Sequence, residues 1–137
     1  ARCDAMLVNG LDDVLERGDA YIEAGADMLF CEVRDSMEEV EALAGHFKGR
    51  VPLHWNYSPS PMVPRLTAKE VEALGYKTCC FYVQSLMAAA KTMQEVLAEI
   101  RETGSAAAVE ERMIGFDELW EINDMASIRD MERKYAV

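Results

Sequence analysis

Polar side chains that could bind a small acid stand at four predicted strand ends, of which the first lies at the start of the chain and the other three follow apolar segments. Arginine offers a planar fork that grips a carboxylate or a phosphate, and a nearby glutamate can hold a metal-bound water or a substrate hydroxyl. If these strands are parallel, their carboxyl ends lie on one edge of a sheet, where ligands gather. The residues concerned are Arg2 with Asp4, Glu32, Asn56 with Ser58 and Ser60, and Gln84 with Ser85. Their types and positions predict a pocket for an organic acid.

The same residues also have a purely structural interpretation. Arg2 and Asp4 could form a local ion pair, Glu32 could be solvated, and Asn56 and the serines could satisfy the backbone of a turn. Spacing alone leaves both interpretations open.

The elements that must position these residues alternate between short apolar segments and amphipathic ones. Apolar residues at helical spacing end at Gly25, and two capping boxes, at Ser36 with Glu39 and at Thr67 with Glu70, each open a further helix. The predicted strands cover residues 28–31, 51–55 and 78–83, after a first strand end near Asp4. The predicted helices cover 11–24, 37–47, 68–74 and 85–103, and two more lie within 116–135.

Strand ends therefore recur at Asp4, Glu32, Asn56 and Tyr82, which is close to the length of one β/α unit. Four such units fit either an open, doubly wound sheet or half of an eight-stranded barrel. Periodicity cannot choose between these architectures. Chain length alone favours the open sheet, because 137 residues are enough for it and too few for a closed barrel.

The composition excludes several classes of function. A formal net charge of −11 disfavours binding to nucleic acid or to an anionic membrane, since both require clustered lysine and arginine. The apolar runs are too short for a membrane-spanning helix. The chain opens without a secretory leader and its cysteines lack disulfide-like or zinc-like spacing, so we expect a cytoplasmic protein with buried thiols. The lone histidines His46 and His54 are given no catalytic role.

Several segments resemble one enzyme superfamily. A-R-C-D-A at residues 1–5 and G-A-D-M-L-F-C-E at 25–32 are similar to two strands of the isocitrate lyase and phosphoenolpyruvate mutase superfamily. N-Y-S-P-S at 56–60 resembles a loop of isocitrate lyases, while P-R-L-T at 64–67 and F-Y-V-Q-S at 81–85 are closer to 2-methylisocitrate lyase. The tail from Phe116 resembles helices that these enzymes exchange between barrel partners.

The resemblance implies an α/β fold: parallel β/α units forming the carboxy-terminal half of a TIM (β/α)₈ barrel, followed by terminal helices of the exchanged type. Residues 1–103 would be the four β/α units and 104–137 the exchange helices. A half barrel leaves strand edges unpaired, so we expect a homo-oligomer formed by helix exchange or by pairing of half barrels.

The resemblance also implies roles for individual residues. Arg2 would grip a substrate carboxylate or phosphoryl group, and Glu32 would lie beside the metal and the substrate without binding the metal directly. Asn56, Ser58 and Ser60 would bind a second carboxylate, and Phe81 would wall the pocket. The implied cofactor is Mg²⁺ and the implied substrate a small organic acid.

The implied reaction is cleavage of a carbon–carbon bond in a 2-hydroxy di- or tricarboxylic acid, with phosphonomutase or oxaloacetate hydrolase activity as alternatives. The family's metal-binding aspartates and its K-K-C-G-H loop have no counterpart in this chain. None of the four cysteines therefore serves as a transplanted nucleophile. We expect the chain to be inactive alone, and a non-catalytic, oligomerising module is the remaining alternative.

Overall fold

A computed structural model describes residues 1–33 and 36–136 of the chain. The strands are β1 (Arg2–Cys3), β2 (Phe30–Cys31), β3 (His54–Asn56) and β4 (Thr78–Cys80). The first helices are α1 (Met6–Asn9), α2 (Leu11–Glu23), α3 (Met37–Phe47) and α4 (Ala68–Leu74). Further along lie α5 (Gln84–Thr103), a 3₁₀ helix (Ala107–Arg112), α6 (Phe116–Ile122) and α7 (Met125–Tyr135).

Local sequence signals explain where several helices begin and end. Ser36 Oγ accepts a hydrogen bond from the Glu39 amide at 3.1 Å and caps α3, as predicted. Thr67 and Glu70 form the predicted capping box at the start of α4. That helix ends at Gly75, whose φ of 105° is a conformation that glycine adopts without strain. These signals fix the helices that follow β2 and β3.

The four strands run parallel in chain order. Arg2 and Cys3 of β1 pair with Phe30 and Cys31 of β2, and β3 pairs with β4 in the same way. A bridge between Leu29 and Leu53 joins β2 to β3. An open sheet of flavodoxin type would place β1 between its neighbours, whereas a barrel adds each strand beside the preceding one. The open sheet favoured by chain length alone is therefore wrong.

Successive side chains along the strands point alternately to the two faces of the sheet. Cys3, Cys31 and Trp55 are 3%, 7% and 2% exposed and pack toward the helices. The core on that side also contains Val14 of α2 and Phe47 of α3, both fully buried. Residues next to them in sequence, including Arg2 and Asn56, lie on the opposite face because successive side chains in a strand alternate.

The chain divides into two compact units, residues 1–85 and 86–137. The sequence predicted a different kind of division, between the barrel units of residues 1–103 and the exchange helices of residues 104–137. That division stays a prediction. In the second unit, Arg112 pairs with Glu95 and Arg129 lies over the Trp120 ring at 5.5 Å. The two predicted tail helices are present as α6 and α7.

In the part of the chain that the structure describes, every helix is too short or too polar to cross a bilayer.

Candidate functional site

A cavity of about 640 Å³ opens in the first unit, at the carboxyl ends of the strands. This volume suits a small organic ligand. Five of the six residues predicted to bind substrate line it: Arg2, Glu32, Asn56, Ser58 and Ser60. The other lining residues are Asp4, Met6, Leu7, Val63 and Tyr82.

Arg2 is held by three neighbours on the cavity side of β1. Its Nε donates to the carboxylate of Asp4 at 2.9 Å, and its Nη2 donates to Glu32 Oε2 at 3.1 Å. The guanidinium carbon lies 4.6 Å from the centre of the Phe30 ring, which is the register partner of Arg2 in β2. Arg2 therefore forms the local ion pair with Asp4 that the structural interpretation predicted, and it also lines the cavity. The Arg2 side chain remains 54% exposed, so the guanidinium is accessible to a ligand.

Glu32 is more sheltered than a solvated carboxylate. It follows β2 directly, and its amide donates to the Cys3 carbonyl at 2.9 Å, which continues the parallel pairing. Its side chain is 22% exposed, against 62% for Asp4. Glu32 is therefore a partly buried partner of Arg2.

Asn56 and two serines, Ser58 and Ser60, form a further part of the cavity lining. Asn56 Oδ1 lies 3.1 Å from His54 Nε2. Ser58 Oγ accepts from the Ser60 amide and Ser60 Oγ accepts from the Met62 amide, both at 3.2 Å. The serines thus satisfy a turn, as the structural interpretation predicted, and they also line the cavity.

The side chains of Asn56, Ser58 and Ser60 still have hydrogen-bond donors available to a ligand. Each side-chain oxygen already receives a hydrogen bond from the protein, whereas the structure gives no acceptor among the described residues for Asn56 Nδ2 or for the two hydroxyl hydrogens. A wall that presents donors is complementary to an anion such as a carboxylate.

The base of this loop is anchored to the next β/α unit. The Tyr57 amide donates to the Cys80 carbonyl at 2.9 Å, and Gln84 Nε2 donates to the Tyr57 carbonyl at 3.0 Å. The Tyr57 ring stacks on Phe81 at 4.9 Å. Tyr82, rather than Phe81, is among the residues that line the cavity, and the role of Phe81 as a wall stays a prediction.

Sequence reasoning missed the apolar part of the lining. Met6 and Leu7 lie in α1, a four-residue helix that is too short to produce a periodic signal. Val63 is buried within the Pro- and Ser-rich loop, where an isolated apolar residue gives no pattern. The contact between His54 and Asn56 was also missed, although their spacing of two places both on one face of a strand.

Among the described residues, the cavity is lined by two carboxylates, those of Asp4 and Glu32. Within residues 1–33 and 36–136, no three His, Cys, Asp or Glu side chains gather in a way that could hold a metal ion. Asp4 and Glu32 both accept hydrogen bonds from Arg2.

The cysteines lie away from the cavity lining. Cys3 and Cys31 are buried register partners on the helix side of the sheet, while Cys79 and Cys80 are half-buried. Burial raises the pKa of the Cys31 thiol to about 12 and also raises the pKa of Cys79. Both thiols are protonated near neutral pH, so they are poor nucleophiles.

Comparison with known proteins gives consistent matches. Residues 1–101 match the family described as phosphoenolpyruvate phosphomutase. The chain is 33% identical over 136 residues to 2,3-dimethylmalate lyase from Eubacterium barkeri, covering 99% of this chain and 46% of that protein. It is 32% identical over 136 residues to 2-methylisocitrate lyase from Aeropyrum pernix, covering 99% of this chain and 42% of that protein.

A solved structure matches as well. Phosphonopyruvate hydrolase in complex with oxalate and Mg²⁺ superposes with a TM-score of 0.85 at 28% identity, covering all of this chain and 48% of that one. The chain spans about half the length of the relatives it matches.

Proposed function

The chain belongs to the phosphoenolpyruvate phosphomutase family, and we propose that it supplies the substrate-gripping, carboxy-terminal half of a carbon–carbon lyase. Its four parallel β/α units correspond to half of the (β/α)₈ barrel of the isocitrate lyase and phosphoenolpyruvate mutase superfamily. The proposed substrate is a 2-hydroxy di- or tricarboxylic acid of the methylisocitrate type. The names of its relatives, which include 2,3-dimethylmalate lyase and 2-methylisocitrate lyase, favour this reaction over a mutase or hydrolase reaction.

One observation carries the proposal: Arg2, Glu32 and Asn56 line the same cavity. Arg2 would hold one carboxylate of the substrate, and the donors of Asn56, Ser58 and Ser60 would hold another. Fixing both ends of a short acid orients the bond between them, which removes much of the entropic barrier to its cleavage.

The charges of the cavity support a role for a divalent cation. Among the described lining residues, the carboxylates of Asp4 and Glu32 outnumber the guanidinium of Arg2, so an anionic substrate would meet an excess of negative charge from these groups. When bound, Mg²⁺ would neutralise charge that builds on the substrate oxygen as the bond breaks. We propose that its direct ligands come from outside this chain and that Glu32 lies near it.

A non-catalytic, oligomerising module is the second candidate. The helices of residues 86–137 expose Met93, Leu97, Phe116, Ile122 and Met131, each by more than half of its surface. Apolar surface of this kind favours association. Self-association by helix exchange or half-barrel pairing, and a cytoplasmic location, stay predictions.

Calorimetric titration with malate, a simple 2-hydroxy dicarboxylate, tests the proposal in the presence and absence of Mg²⁺. Asn56→Asp keeps the side-chain shape and replaces two donor hydrogens by a negative oxygen, so malate affinity should fall about tenfold or more. Asn123→Asp is the matched control, because Asn123 lies at the end of α6 in the second unit and does not line the cavity. Equal affinities in the two variants would refute the proposed substrate class.

A further inference from the structure

His54 occupies a central position on the cavity-side face of the sheet, although it does not line the cavity itself. Its Nε2 lies 3.1 Å from Asn56 Oδ1, and its Nδ1 lies 2.6 Å from Thr78 Oγ1. Its ring also meets Phe30 edge to face at 5.1 Å. Three neighbours from three strands therefore fix the plane of the imidazole.

Strand register creates this arrangement. His54 and Asn56 are two residues apart in β3 and share one face, while Trp55 between them is buried on the other. Thr78 is the register partner of His54 in β4. The three polar groups are consequently aligned by backbone pairing rather than by a flexible loop.

The hydrogen-bonding capacities of these groups determine where the protons are. An amide oxygen only accepts, so His54 Nε2 must carry the hydrogen that it donates to Asn56 Oδ1. In the neutral ring, Nδ1 then accepts from the Thr78 hydroxyl at 2.6 Å, a much shorter contact than the 3.6 Å from the same hydroxyl to Met28 Sδ, and sulfur is the weaker acceptor. Because Oδ1 is engaged by His54, the Nδ2 amino group is the end of the Asn56 amide left to face the cavity.

From this geometry we propose that His54 is a positioning residue which sets the amide orientation of Asn56 and so makes this wall of the cavity selective for an acceptor. The inference rests on the proposed function and adds a specificity determinant to it. Without His54, the two orientations of the amide have nearly the same shape, and the carbonyl could face the ligand. A carboxylate would then meet an acceptor instead of a donor. An ionised acid is therefore preferred here over its amide, which would bring its own donors to this wall.

Two substitutions of His54 separate positioning from packing. His54→Gln retains a side-chain amide that can donate to Asn56 Oδ1, whereas His54→Phe retains a ring against Phe30 but no donor. Malate affinity, measured with Mg²⁺, should stay within about threefold for His54→Gln and fall about tenfold for His54→Phe, the loss expected for one charge-assisted hydrogen bond. His46→Phe is the control, because His46 bonds Asp19 on α2 and does not line the cavity.

Two further measurements distinguish an effect on the orientation of the Asn56 amide from a general loss of structure. In an Asn56→Ala background, His54→Phe should cause no additional loss of affinity, because its effect passes through Asn56. Nitrogen-15 NMR of the unliganded protein should show neutral His54 protonated on Nε2. Unchanged affinity in His54→Phe, an additive loss in the double variant, or a proton on Nδ1 would overturn the inference. Failure of the unsubstituted protein to bind malate would instead overturn the proposed function, and the NMR result would still decide the orientation.

Discussion

Arg2 and Glu32 are joined across the β1–β2 pair by a hydrogen bond of 3.1 Å from Nη2 to Oε2. Together with Asp4, Glu32 holds the guanidinium on the cavity wall before any ligand arrives. Preorganisation of this kind reduces the entropy that a ligand must overcome on binding. The planar fork matters here, because the N–H donors of a guanidinium have fixed relative directions, whereas the three donors of an ammonium group rotate.

Arg2→Lys should therefore lower malate affinity by about tenfold, since the charge is kept and the fork is lost. The free energy of unfolding should change by no more than about 1 kcal/mol, because the Arg2 side chain is half exposed. Calorimetric titration and urea unfolding measure the two quantities. Arg17→Lys is the control, because Arg17 pairs with Asp13 within α2 at 2.6 Å and does not line the cavity. Equal affinity in both variants would remove Arg2 from the site.

Gly18→Ala should destabilise the first unit by about 1–3 kcal/mol. A methyl group added at Gly18 would overlap the ring of Phe47, which is fully buried and cannot swing away. Gly45→Ala is a matched control in α3, because no atom lies within 4 Å of the added methyl. That substitution should leave stability unchanged or raise it by up to about 1 kcal/mol. Urea midpoints that fall equally for both would contradict the packing of α2 on α3.

The capping box of α4 should make stability depend on pH. The Thr67 amide and hydroxyl donate to the Glu70 carboxylate and hold its pKa below the ordinary value of 4.5. A carboxyl whose pKa is lower in the folded state stabilises the fold above the unfolded pKa, and this stabilisation is lost as pH falls through the folded value. Glu70→Gln should thus be less stable than the unsubstituted chain at neutral pH, with a difference that shrinks below pH 4.5.

Denaturant midpoints across this pH range check the prediction. In a Thr67→Ala background, Glu70→Gln should change the midpoint less, and with a weaker pH dependence, because the hydroxyl donor is gone. The same pH-dependent difference in both backgrounds would show that the stabilisation has another source.

Alkylation should distinguish the cysteines. Because burial raises the pKa of Cys31 to about 12, iodoacetamide at pH 8 should label Cys80 at least about tenfold faster than Cys31 in the folded chain. Mass spectrometry of the tryptic peptides separates the two residues. In denaturant the rates should converge, and equal rates in the folded chain would contradict the buried position of Cys31.

Much of the fold could be predicted because it depends on local signals. Ser36, Thr67 and Gly75 mark helix ends through hydrogen bonds and dihedral angles that involve only a few neighbouring residues. The strand order could not be predicted from periodicity, because it depends on pairing between distant segments, such as Leu29 with Leu53. Motif resemblance supplied that information instead.

The polar half of the candidate site was predicted for a related reason. Arg2, Glu32 and Asn56 follow parallel strands, and parallel strands bring their carboxyl ends together whatever the loops do. The contact of His54 with Asn56 was not predicted. It requires the register of β3 against β4, which places Thr78 opposite His54 and cannot be obtained from one strand alone.

The most direct measurement is a crystal structure of the chain grown with malate and Mg²⁺. We predict one carboxylate within hydrogen-bonding distance of Asn56 Nδ2 and a Ser58 or Ser60 hydroxyl, and the other facing Arg2. Malate bound at a different surface, or a structure in which Arg2 and Asn56 open onto separate surfaces, would contradict the claim that one cavity holds both ends of the acid.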